Sequence, residues 1–156
     1  MQRIRQFFGK VKRLIDWIPL IWNTSDYDYG YSIEIFRYQL ERTADYIEKR
    51  GHLEKGEHVV SQIRTAIDLI DKSYLGGYVE QAEKEFARQY GECETLFGDE
   101  GSFEMTLLWP NAKDPEHNHQ ISEFYAAHMF AAYAKADRGK AILWRYIDKN
   151  IETWWD

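Results

Sequence analysis

Residues 31–51 read YSIEIFRYQLERTADYIEKRG, and this stretch decides the fold class. Ile33, Phe36, Leu40, Ala44 and Ile47 recur every three or four positions, which is one face of an α-helix. Gly51 is a good C-terminal stop, and Lys49 and Arg50 suit the negative end of the helix dipole. Ahead of it, Thr24, Ser25 and Asp26 offer oxygens for an N-cap. A second stripe, Tyr31, Glu34, Tyr38 and Arg42, shares another face. It is either a polar flank against a neighbouring helix or one wall of a pocket.

Immediately upstream lies WIPLIWNTSDYDYGY, residues 17–31. Pro19 has no amide donor and disfavours helical geometry at Ile18, so the spacing predicts a rigid aromatic corner over 19–31. Before the corner, Ile4, Phe7, Phe8, Val11, Leu14, Ile15 and Ile18 share one face of a basic amphipathic helix over 1–18. The expectation is a helix that packs on the body with its basic face in water. The alternative is a helix lying on a membrane surface or docking a partner.

Downstream, Val59, Val60, Ile63, Ile67 and Ile70 mark a further helix ending near Tyr74. Gly76-Gly77 breaks the chain, and Val79, Ala82 and Phe86 point inward on a helix over about 78–90. Residues 91–116 hold turn material and an alternating segment, Phe103, Met105, Leu107 and Trp109. They are read as an irregular insert with at most one short extended piece, which alone is unstable. Ile121, Phe124, Tyr125, His128, Ala131 and Ala132 form the next helical stripe. Asp137 is read as the N-cap of a last helix with Ala141, Trp144, Ile147, Ile151 and Trp154 on one face. The expectation is therefore an all-α, single-domain bundle of five or six helices spanning 1–156.

The chain has 156 residues, the size of one ordinary domain. Six Trp and 16% aromatic residues mean a heavily stacked core or a ring surplus at an interface. Net charge is −6, which argues against a nucleic-acid binder. Yet the first fifteen residues hold five cations and no acid, so the chain beyond them carries −11. The one cysteine, Cys93, excludes an internal disulfide and fits a reducing compartment. No apolar run approaches the length of a membrane span, and the basic N-terminus lacks a signal-peptide cleavage pattern.

Motifs for chemistry are sparse. There is no GxSxG, P-loop or dinucleotide fingerprint. Cys93 lies between Glu92 and Glu94, which disfavour a thiolate nucleophile. Glu116, His117, His119 and Glu123 are the metal-ligand candidates, because Glu116-x-x-His119 and His119/Glu123 each share a helix face. A second Glu-x-x-His is missing, and the His-Asn-His string lacks the rest of a nuclease motif. No catalytic residue and no cofactor are expected.

The WIPLIW…DYDYGY corner, the helix ending in RGH and the closing NIETWWD resemble a family of small bacteriophage proteins with no assigned reaction or ligand. The resemblance spans both ends and leaves out 91–116. It implies phage origin, a host-cytoplasmic location and a mainly helical fold. Phages as a class carry small proteins that sequester nucleotide immune signals, which makes a non-catalytic anti-defence role the expected function. Trp22, Tyr27, Tyr31, Arg37, Tyr38, Arg42, Trp109 and Arg145 would then hold an anionic, ring-bearing ligand by stacking and guanidinium pairing. The alternative expectations are a protein-binding inhibitor of a host factor and, behind it, a metal-dependent hydrolase. Self-association is expected because the apolar faces exceed what one small core can bury.

Overall fold

The computed structural model describes residues 2–22, 29–50, 55–97 and 105–154, with side chains from Gln6 onward and not for Arg50. Among these residues the chain is all-α, with one small hairpin. It divides into two compact units, Met1–Arg64 and Thr65–Asp156, and the division falls inside a single helix.

The first unit holds α1 (Gln2–Trp22), α2 (Tyr29–Arg50) and the first half of α3 (Gly56–Ser73). Of the α2 stripe, Ile33, Leu40, Ala44 and Ile47 are buried and Phe36 is half-buried, with Leu40 and Ala44 almost wholly removed from water. Burying a Leu of this kind stabilises the fold by about 1.5–3 kcal/mol. On α3, Val59, Val60 and Ile63 are buried in the same way.

Two expectations about α1 change. It is helical straight through Pro19 to Trp22, so positions 19–22 belong to α1 and 29–31 to α2. Residues 23–28, including Tyr27, lie outside the described residues. Proline is tolerated here because it removes one bond in the last turn, and the carbonyl it frees belongs to Ile15, an exposed residue that water can reach. The apolar face of α1 is also exposed rather than packed, with Phe7, Phe8, Leu14, Ile15 and Ile18 all more than half accessible.

The second unit holds the rest of α3, then α4 (Gly77–Tyr90), β1 (Glu94–Phe97), β2 (Met105–Leu108), α5 (Pro115–Asn150) and a 3-10 turn, Ile151–Trp154. The expected break at Asp137 does not occur. α5 is one helix of 36 residues, and Asp137 sits inside it, bonded to Lys140 at 2.9 Å. The Ala-rich run 126–136 carries helix propensity through this point. The buried face is Met129, Ala132, Ala136, Gly139, Leu143 and Ile147. Phe124, Ala131, Ala141 and Trp144 are exposed, so the sequence stripes were partly out of phase. Apolar residues lie all round α5, which blurs its periodicity.

At Gly139, α5 approaches the end of α3 closely. A Cβ there would lie 2.1 Å from the Ser73 hydroxyl oxygen. Trp154 is buried, as a folded-back aromatic terminus requires.

The described residues of the insert contain two strands. β1 and β2 pair antiparallel, with Thr95 opposite Leu107 and Phe97 opposite Met105. The partner strand comes from the same chain, which the sequence reading did not foresee. Phe103 lies outside the described residues.

Candidate binding site

A groove of about 1020 Å³ lies between β2 and the start of α5. It is built on an aromatic anchor. Phe86 on α4, Trp109 after β2 and Tyr125 on α5 stack with ring centroids 5.0–5.2 Å apart. Ile121 fills the space beside them, and half-buried Cys93 packs on the same cluster as a small apolar residue. Burial pushes the Tyr125 hydroxyl pKa above its ordinary value, and Glu83 adds to the shift. His128 extends the stack, its Nε2 within 3.2 Å of the Ala82 carbonyl, to which it donates.

Sequence explains how β2 reaches this anchor. Asp114 caps α5 by accepting from the His117 amide at 2.8 Å, with Pro115 in the first turn. That start aims Asn118 at the strand. The Asn118 side chain accepts from the Trp109 amide at 2.9 Å and donates to the Leu107 carbonyl at 2.8 Å. It thereby takes the place of a neighbouring strand along that part of β2. Ser122 accepts from the Trp109 indole at 3.1 Å and donates to the Asn118 carbonyl at 3.0 Å. On the other side, Gly91 ends α4 with φ +84 and touches Pro110; a Cβ there would lie 2.5 Å from the proline ring.

The groove is lined by apolar Met105, Leu107 and Ala112 and by polar or charged Glu92, Glu94, Lys113, Asp114 and His119. Asn118 and Ser122 were not anticipated. Their only sequence signal is a polar pair one turn apart just inside the Asp-Pro helix start.

The candidate ligand residues fall into both units. In the first, Tyr38 donates to the Asp16 carbonyl at 2.8 Å, and Arg42 bridges the Tyr38 hydroxyl and the Asp16 carboxylate at 3.3 and 3.2 Å. The Tyr38 hydroxyl, ahead of Asp16, holds the Arg42 pKa above its ordinary value. Trp17 meets the Tyr38 ring edge-on at 5.0 Å. These contacts fasten α1 to α2. Arg37 pairs with Glu41 at 3.0 Å, Tyr31 is half-buried, and Trp22 is exposed at the end of α1.

In the second unit, Trp109 lines the groove and is itself buried, whereas Arg145 is exposed far along α5. Arg145 is twenty residues past Tyr125, about 30 Å along the axis, so these two candidates are not brought together.

The metal candidates are similarly spread. His117 Nδ1 accepts from the Lys113 amide at 3.1 Å, which commits that nitrogen to the helix start. His119 and Glu123 approach to 3.6 Å in an exposed i,i+4 pair. Among the described residues no three His, Cys, Asp or Glu side chains form a metal-holding group.

Comparison with protein-family models, curated proteins and solved structures finds no match to this chain.

Proposed function

We propose that this chain acts by binding rather than catalysis, as a phage accessory protein of the anti-defence kind that engages a host protein through its β1–β2 hairpin. One observation carries the reading: all four residues of β1 are exposed, including Leu96 and Phe97, the latter at 79%. Among the described residues β1 has one strand neighbour, β2. A two-stranded ribbon is marginal alone, and an extended partner segment added to β1 completes it with main-chain hydrogen bonds. Asn118 occupies part of the other edge, which leaves β1 as the side for addition.

The second reading is capture of a nucleotide-type immune signal. It is favoured by the size of the groove and by Lys113 and His119, which line it with Trp109. The acids Glu92, Glu94 and Asp114 in the same lining weigh against a polyphosphate, as do the partners already held by Arg37 and Arg42.

Tagged protein exposed to host lysate, followed by native and denaturing mass spectrometry, separates the readings. A stoichiometric host protein, lost in Thr95→Pro or Phe97→Glu, supports strand addition. A nucleotide-mass adduct released intact on denaturation supports capture. Its loss in Arg42→Gln or Arg145→Gln assigns it to the arginines, and its loss in Lys113→Ala assigns it to the groove. Bare protein in every sample removes both readings.

A further inference from the structure

A different surface carries a separate inference. α1 is a 21-residue helix whose Phe7, Phe8, Leu14, Ile15, Ile18 and Trp22 are all more than half exposed. At roughly 100° per residue these six fall within a sector about 120° wide. Lys10 borders that sector on one side and Lys12 on the other, while Arg13 lies farther round. Arg3 and Arg5 add two cations to the N-terminal turns of the same helix.

The one acid of α1, Asp16, lies opposite the sector and is held by Arg42 at 3.2 Å. Asp16 and Trp17, the residues that fasten α1 to α2, both lie outside the sector. The attachment therefore leaves the apolar face outward. Among the described residues no helix is long and apolar enough to cross a membrane.

We infer that α1 is an interfacial helix that lies on an anionic lipid bilayer, with its apolar sector below the headgroups and Lys10 and Lys12 at phosphate level. The charge layout selects this occupant. An apolar sector edged on both sides by cations matches a surface that is apolar within and anionic at its rim. Two copies joined through the same face would set cation rows against each other. The rest of the chain is strongly acidic and is repelled by the same lipid surface, so α1 is the element that makes contact.

Cosedimentation of the full chain with vesicles tests this. The expected result is binding to phosphatidylcholine vesicles containing phosphatidylglycerol, weakened by salt, with little binding to phosphatidylcholine alone. Lys10→Gln with Lys12→Gln should weaken partition about thirtyfold. Leu14→Glu with Ile18→Glu should abolish it while the melting curve stays in place, because both side chains are already exposed. Absence of wild-type binding overturns the inference, as does equal binding to both kinds of vesicle. A wild-type dimer that Leu14→Glu with Ile18→Glu splits, without vesicle binding by either form, assigns the face to a second copy instead.

Discussion

Gly139 and Ser73 show how much one missing side chain can decide. The Ser73 hydroxyl is buried, has no hydrogen-bond partner among the described residues, and sits where a Cβ on residue 139 would go. Gly139→Ala should therefore cost about 1–3 kcal/mol in urea unfolding. Ser73→Ala should cost little alone, because it removes a buried polar atom that gains no bond, and should recover part of the loss in the double variant. Asn118 is the opposite kind of residue, one side chain closing two backbone groups. Asn118→Ala should cost about 1–3 kcal/mol and raise amide exchange across 105–109 before it affects α2. The polar Asn and Gly at these positions were plain in the sequence, but their partners 11 and 66 positions away were not.

At the scale of elements, α5 is the clearest departure from the sequence expectation. An N-cap at Asp137 predicts that Asp137→Ala costs about 1 kcal/mol. A continuous helix predicts a change within about 0.5 kcal/mol, since only an exposed pair with Lys140 is lost. Asp137→Pro should instead cost about 3 kcal/mol or more, because it removes a hydrogen bond in mid-helix. Urea midpoints of the two variants separate these cases. α2 and α3 needed no such correction, because each has one apolar stripe and a polar remainder. α5 has Phe124, Phe130, Tyr133 and Ile142 exposed around it, so apolarity alone did not mark its inner face. At Pro19, local preference favoured a break, and the short distance to the helix end made the cost small enough to absorb.

For the molecule as a whole, the aromatic anchor links stability to pH. Tyr125 has a raised pKa in the folded chain, so the folded state holds the proton more tightly than the unfolded one. Its stabilising share is complete below the ordinary value of 10.0 and is lost as pH rises through the higher folded value. Stability should fall in alkali above about pH 10, and Tyr125→Phe should move that fall upward, as read by tryptophan fluorescence. The candidate site was partly legible: Trp109 was named, whereas the groove around it depends on a hairpin whose strands are eight residues apart in the chain. Tyr38 and Arg42 were placed on one face by their spacing, whereas their contacts with Asp16 came only with the tertiary structure. By itself the sequence determined the helical class, the buried stripe of α3, most of those of α2 and α4, and the separation of basic from acidic charge, because periodicity and charge are local properties of the chain. Only the tertiary structure decided that α5 is unbroken, that β1 and β2 find each other, that Asn118 closes a strand edge and that the apolar side of α1 faces outward. Each of those depends on which distant group arrives to fill a space or accept a hydrogen bond, and neighbouring residues carry no record of that.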